Sequence, residues 1–306
     1  MIIEKTAKQK NNAKQPLYFF NSARVGLKCI LEKYAKQGNT TLLLPGYIGY
    51  SKNEGSGIYD PVIETGIEHR FYHMNRDLSI DVSSLKTILE QIRGTKLVLL
   101  VHYFGYPDCN IDSIVSICRK NSAIIIEDAA HALYTDFIDH LCGNYGEYVI
   151  YSLHKMLPFE KGGLLKVNGV ERDEQWKSLS EEVYPLFSYD LYKISFIRKR
   201  NAKVWYELLG EYTDVLFFLR PFSDEVTLQT VPILIKRHNR DELYFKLNEA
   251  GFGAVSLYHT MIDPIQKAGD EDAVWLSKHI MNLPVHQDVT ERQITEMSVK
   301  LLELLK

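Results

Sequence analysis

Residues 122–167 read SAIIIEDAAHALYTDFIDHLCGNYGEYVIYSLHKMLPFEKGGLLKV, and this stretch decides the fold. A short run, Ala123-Ile124-Ile125-Ile126, ends abruptly in Glu127-Asp128. It is apolar on both faces and β-branched, as a strand buried inside a parallel sheet is. Two carboxylates at its C-terminal end then stand where open α/β sheets place their ligands. A second run, Tyr148-Val149-Ile150-Tyr151, also ends in polar groups, Ser152-Leu153-His154-Lys155. Gly162-Gly163 and a third run, Leu164-Leu165-Lys166-Val167, close the unit. Asp, His, Ser and Lys at neighbouring strand ends form a constellation, not one isolated motif.

Pyridoxal phosphate catalysis needs such a set. The cofactor's aldehyde requires a lysine amine, its ring nitrogen a carboxylate, and its phosphate hydroxyls and backbone N–H groups. The segments HYFGYPDCNIDSI (102–114), IIIEDAAHAL (124–133) and YSLHKMLPFEKGG (151–163) resemble the DegT-type (DegT/DnrJ) sugar aminotransferases. These are pyridoxal phosphate-dependent enzymes of fold-type I, in the aspartate aminotransferase superfamily. The resemblance runs from Phe20 to near the C-terminus and is most specific between His102 and Gly163. It implies that Asp128 pairs with the pyridine nitrogen and that Lys155 carries the cofactor. His131 stands where the family usually has Gln and would contact the ring hydroxyl, while Ser152 would bind the phosphate. The family commonly has two more residues between that Ser and that Lys, so Ser152-Leu153-His154-Lys155 resembles a compact variant of the motif.

The chain has 306 residues, a net charge of −3 and 45% hydrophobic residues, enough for one large domain and a smaller one around a sizeable core. Near-neutral charge argues against nucleic acid as the main partner. Cys29, Cys109, Cys118 and Cys142 lack C-x-x-C spacing, so neither a metal site nor a disulfide framework is expected. No apolar run approaches the roughly 18 residues of a membrane span, and the N-terminus is polar rather than signal-like, so a cytoplasmic protein with no membrane partner is expected.

Residues 1–16 are rich in Lys, Asn and Gln and read as a polar arm. Asn21 or Ser22 is a natural N-cap for a helix ending near Gly38, with Val25, Ile30, Leu31 and Tyr34 as its apolar stripe. Ser22 with the N–H groups of Ala23 and Arg24 either cradles the phosphate, as the family resemblance implies, or simply caps the helix. Thr41–Leu44 is a strand stopped by Pro45-Gly46, followed by Tyr47 and Tyr50 where the family places an aromatic on the pyridoxal ring. Gly66 to Met74 reads as a strand, Asp81 caps a helix to about Ile92, Leu97–Val101 is a buried strand and Asn110 to Lys120 a crossover helix. This repeated order implies parallel pairing with right-handed crossovers.

Beyond Val167, residues 171–210 are mostly helical, and Arg198-Lys199-Arg200 is expected on a solvated face. Ser188–Tyr192 is a poor match to the Asn-containing motif with which the family reaches a partner subunit's phosphate. From about 211 a smaller α+β unit is expected. Pro232 suggests an edge strand for Thr230–Ile235, Asp241 to Ala250 is a helix, and Thr290–Gln293 has capping-box spacing before the last helix. Tyr258 and His259 lie where a substrate-facing loop is expected, although His259 also reads as an ordinary exposed loop histidine.

The expected architecture is therefore α/β: a fold-type I transferase with a mainly parallel sheet sandwiched by helices (17–210) and a smaller C-terminal α+β domain (211–306). The resemblance implies an aminotransferase that takes an amino group from glutamate or glutamine to a keto-sugar, nucleotide-linked, within a homodimer. Two other readings fit the same residues. One is a relative that has lost transamination and serves as a binding or regulatory protein. The other is a pyridoxal phosphate enzyme with a different reaction, such as sugar dehydration, against which the retained lysine argues.

Overall fold

The computed structural model describes residues 16–169, 173–179 and 188–306, so all of the polar arm except Pro16 lies outside the described residues. Seven strands form one sheet: β1 (Leu17–Phe20), β2 (Thr40–Pro45), β3 (Glu68–Tyr72), β4 (Thr95–Val101), β5 (Ile124–Asp128), β6 (Tyr148–Ser152) and β7 (Gly163–Val167), in the order β1-β7-β6-β5-β4-β2-β3. The pairs β2–β3, β2–β4, β4–β5 and β5–β6 are parallel, while β7 is antiparallel to both β6 and β1. The apolar runs explain the burial: Leu42, Leu43, Leu44 and Leu97 to Leu100 are wholly inaccessible, because helices cover both faces.

Those helices are α1 (Ala23–Ala35), α2 (Tyr59–Thr65), α3 (Val82–Gln91), α4 (Ile111–Lys120) and α5 (Leu133–Phe137). Asp81 caps α3 as its sequence predicts, its carboxylate accepting from the N–H groups of Ser83 and Ser84 at 2.9 and 3.1 Å. On α1, Ile30 and Leu31 are fully buried, but Val25 of the expected stripe is exposed. Seven-residue α2 has no predicted counterpart, since it is too short to display a hydrophobic period. It ends on Gly66 in the left-handed region, φ 63°.

The remaining described helices are α6 (Glu174–Leu179), α7 (Leu191–Leu209), α8 (Arg240–Glu249), α9 (Asp263–Ala268), α10 (Glu271–His279) and α11 (Glu291–Leu304). With them lies a second, antiparallel sheet of β8 (Leu216–Phe218), β9 (Thr230–Ile235) and β10 (Ile280–Pro284), in the order β10-β9-β8. Thr290 and Gln293 make the predicted capping box at the start of α11. Among the described residues no helix is long and apolar enough to cross a membrane.

Two expectations fail here. Pro232 does not mark an edge, since β9 is the central strand. The missing N–H is harmless for a local reason. Leu219 donates to the Pro232 carbonyl just where three-residue β8 has ended, and on the other side Asn282 directs its N–H and C=O to Val255. Arg198 is not solvated: it is 2% exposed, and its guanidinium donates to the carbonyls of Met156 and Gln229 and to Gln287 Oε1. Lys199 reaches the buried Asp139 carboxylate at 2.7 Å, so of these three basic residues only Arg200 is exposed.

The end of β5 is held from inside. Successive residues of a strand face opposite ways, so only one of the two carboxylates can face a ligand. Glu127 points into the protein and is fully buried. Its Oε1 accepts from the N–H groups of Tyr145 and Gly146 at 2.8 and 2.9 Å. Its Oε2 accepts from the Gly143 N–H at 2.7 Å and from His102 Nε2 at 2.9 Å. Burial alone would raise its pKa; the His102 bond and charge with the Gly146 and Gly143 N–H groups outweigh it and hold the carboxyl below its ordinary value. A depressed folded-state pKa stabilises the fold above the ordinary carboxylate pKa of about 4.3, and that stability is lost as pH falls through the folded value. Glu127→Ala should therefore cost about 3–5 kcal/mol in urea unfolding at neutral pH, because it strands several buried donors. Glu127→Gln should flatten the acid limb of stability against pH. An Ala variant within about 1 kcal/mol of the parent would show that the clamp is dispensable.

Candidate active site

A cavity of about 670 Å³ opens at the carboxyl ends of β4, β5 and β6. Register makes its floor, because Val101, Asp128 and Ile150 stand side by side across the three parallel strands and all line the cavity. The last residue of β6 supplies Ser152, and the segments after these strands supply His102, Ala130, His131, His154 and Lys155. Ser22, Ala23 and Arg24 at the start of α1, residues between Gly49 and Ile58, and residues 255–259 complete the wall. Open parallel sheets take ligands at this position, since strand ends and helix N-termini leave backbone groups free there.

Asp128 is the carboxylate on the cavity floor. It is 7% exposed, and its Oδ1 accepts from the Ala130 N–H at 2.9 Å. Burial raises its pKa, opposed by that N–H, by Lys155 and by His102. Such a carboxyl favours its ionised form when a cation is placed beside it. Lys155 closes a one-turn helix, Leu153–Lys155, directly after β6. The compact spacing suffices to deliver its amine, which lies 3.1 Å from His131 Nε2. Lys155 is exposed to the cavity rather than buried in the core. Desolvation by the surrounding walls lowers its pKa, against the opposing charges of Asp128 and Glu54.

His131 is 5% exposed and stacks against Phe104, with ring centroids 5.9 Å apart and an interplanar angle of 15°. Ser152 Oγ lies in the wall, 3.3 Å from His154 Nδ1. Ser22 occupies the N-cap position of α1, yet its side chain makes no capping bond, so hydroxyl and helix N–H groups remain available to the cavity. Gly163 is required beside them, because a Cβ there would overlap the Ser22 carbonyl and the Ala23 nitrogen. Strand β7 thereby approaches the start of α1 closely enough to join it to Ser152.

The structure thus gathers Ser22, Ala23, Asp128, His131, Ser152 and Lys155 around one cavity. Tyr47 is placed otherwise. It is fully buried, its ring packed 5.5 Å from Tyr103 and 5.3 Å from Tyr258 and its hydroxyl donating to the Leu257 carbonyl. The aromatics that line the cavity are Tyr50 and Tyr258. Tyr258 has φ 60°, in the left-handed region, and its ring lies over Gly49, where a Cβ would collide with it. Gly49 escaped sequence reasoning because its partner is some 200 residues away. Its only local signal is the Gly-Tyr pair in Tyr47-Ile48-Gly49-Tyr50. Arg24 was singled out for its N–H; its guanidinium joins the wall to Asp60 at 3.4 Å and to the Glu54 carbonyl.

Residues 57–183 match the model of the DegT/DnrJ/EryC1/StrS aminotransferase family. The spore coat polysaccharide biosynthesis protein SpsC of Bacillus subtilis (strain 168) is 28% identical over 154 residues, which is 49% of this chain and 37% of that relative's length. The solved structure of Helicobacter pylori PseC, an aminotransferase of pseudoaminic acid biosynthesis, superposes with a TM-score of 0.77 at 17% identity. The superposition covers 94% of this chain and 86% of that one. An E. coli GDP-4-keto-6-deoxy-D-mannose-3-dehydratase superposes with a TM-score of 0.70 at 18% identity, over 95% and 87% of the two chains. These likenesses give the same architecture, that of the fold-type I aminotransferases. Asp128, His131, Ser152 and Lys155 all lie inside the matched segment, and over that segment the chain is similar to the DegT/DnrJ/EryC1/StrS aminotransferase family.

Proposed function

We propose that the protein is a pyridoxal phosphate-dependent aminotransferase. In this reading it moves an amino group from glutamate or glutamine to a keto-sugar carried on a nucleotide, in surface polysaccharide or amino-sugar biosynthesis. The observation that carries the reading is the convergence of the Lys155 amine and the strand-end Asp128 carboxylate in a cavity bordered by Ser22, Ala23 and Ser152. The donor set fits the cofactor. Lys155 offers an amine of lowered pKa to an aldehyde, Asp128 a carboxylate to a ring cation, and the uncapped start of 13-residue α1 with two hydroxyls offers donors to a phosphate. The names of the relatives support the substrate class.

Pyridoxal phosphate, when bound, supplies an aldehyde that takes up amino groups and a ring that accepts electrons as a proton leaves carbon. Lys155 would hold that aldehyde through its amine and, as a free amine, would serve as the base that moves a proton. Asp128 would hold the ring nitrogen protonated, its carboxylate favoured in the ionised form beside a cation. Ser152 and the α1 terminus orient the phosphate, while His131 contacts the ring hydroxyl. Tyr50 and Tyr258 offer aromatic faces to ring or sugar. We further propose a cytoplasmic homodimer, because the family resemblance implies a site shared with a second subunit. Free Cys29, Cys118 and Cys142, all buried, suit a reducing compartment.

Asp128→Asn should keep the fold and cofactor, since size and the Ala130 contact are preserved, yet lose at least about 10²-fold in the half-reaction with glutamate. Single-turnover absorbance measures this, and a rate equal to the parent's would remove Asp128 from its role. Lys155→Ala should abolish turnover. Borohydride reduction followed by peptide mapping should place the pyridoxyl group on Lys155. Its appearance on exposed Lys161, or on no lysine, would overturn the reading. Light scattering should report a dimer, and a fully active monomer would refute the shared site.

A further inference from the structure

The network around Lys155 has a direction that the proposed reaction does not by itself require. We propose that His131 is a positioning residue that holds Lys155 as an uncharged amine, with the backbone N–H of Phe104 deciding which way the hydrogen bond runs. Phe104 follows β4 with φ 58°, a left-handed conformation that costs a bulky residue about 1–2 kcal/mol. In that conformation its N–H donates to His131 Nδ1 at 3.3 Å, and its ring stacks on the imidazole. A backbone N–H can only donate, so Nδ1 presents a lone pair. A neutral imidazole then carries its proton on Nε2. Nε2 faces Lys155 Nζ at 3.1 Å. Two donors cannot share that contact, so Nζ accepts from Nε2–H, and an amine that accepts is unprotonated.

The alternative charge states conflict with the same geometry. An imidazolium would carry a proton on Nδ1 directly opposite the Phe104 N–H, inside a site where the ring is 5% exposed. An ammonium on Lys155 would need Nε2 as acceptor and leave the imidazole with no proton at all. Other charged groups face Lys155 from other elements. Asp128 at the end of β5 and Glu54 before α2 favour the ammonium, and Arg24 on α1 opposes it. His154 stands next to Lys155 on its own turn and is lowered by burial and by Lys155. Burial likewise pushes His131 well below its ordinary value and Lys155 below its own. Among these, only the His131 contact selects the free amine by direction rather than by charge.

The role belongs to the chain before the cofactor is bound, when Lys155 is a free amine and Nε2–H is not shared with a ring hydroxyl, and its importance for turnover rests on the aminotransferase reading. The test avoids turnover and cofactor. In the full-length chain freed of cofactor, the rate of acetic anhydride labelling at Lys155 is followed against pH by peptide mass, with exposed Lys161 as internal standard. The parent should label with a midpoint below the ordinary lysine value of about 10.4. His131→Gln preserves the polarity, its carbonyl accepting from Phe104 and its amide donating to Nζ, so the midpoint should stay in place. His131→Glu can only accept, and should raise the midpoint by about 1–3 pH units, slowing labelling at least about tenfold at fixed pH below it. An unchanged midpoint in the Glu variant, or an equal rise in the Gln variant, would overturn the proposal. Should the Glu variant fail to fold, ¹⁵N histidine spectra of the parent decide. A proton on His131 Nε2 alone around neutral pH supports the proposal, and one on Nδ1 refutes it. If labelling behaves as expected but Lys155→Ala keeps transaminase activity, the functional reading fails while the polarity stands.

Discussion

A fully buried carboxylate, Glu127, is the constraint on which the site depends. A lone carboxylate inside a protein costs several kcal/mol, and Glu127 is tolerated because four N–H groups converge on it. Three of them belong to residues 143–146, so the clamp fixes the loop that feeds β6 beside β5. The fourth is on His102, at the end of β4. Three strand ends are thereby tied to one point behind the cavity. The neighbouring Asp128 then necessarily faces forward, because side chains alternate along a strand. His102 Nδ1 is buried and left without a hydrogen-bond partner among the described residues.

The sheet is braced by further buried charges. Lys166 on β7 meets Asp136 on α5, and the Tyr151 hydroxyl of β6 donates to the same carboxylate. Gly143 passes so close to Asp136 that no side chain would fit there, so this cluster and the Glu127 clamp share one loop. Arg198 is held by carbonyl oxygens, without an ion-paired carboxylate among the described residues, and lies 5.3 Å from the Tyr134 ring. One of those carbonyls belongs to Met156, next to Lys155. The α7 helix is in this way coupled to the turn that presents the amine.

The far wall comes from the C-terminal part of the chain. Tyr50 N–H donates to the Thr260 carbonyl and Ile262 N–H to the Ile48 carbonyl, stitching residues 48–50 to 260–262. The Tyr103 hydroxyl donates to the Tyr47 carbonyl, which adds the end of β4 to the same seam. Buried Tyr47 therefore acts as packing beneath the cavity, and Tyr258 forms its surface.

Much of this was legible along the chain. Doubly apolar runs such as Ile124–Ile126 and Leu97–Leu100 determine buried parallel strands, because no other arrangement hides both faces. Asp81, Thr290 and Gln293 announce helix starts through local hydrogen bonds. Asp128, His131, Ser152 and Lys155 stand out because strand ends place them within one segment of the chain. What the sequence could not decide depends on partners distant along it. Whether Glu127 or Asp128 faces the cavity follows from pairing with neighbouring strands. Pro232 sits mid-sheet because β8 stops short. Arg198 is buried because carbonyls from three other segments meet around it. Tyr258 rather than Tyr47 lines the cavity because Gly49 leaves room for its ring. Local pattern determined the elements and the chemistry they carry, whereas facing, burial and the direction of each hydrogen bond were decided only when distant segments were packed together.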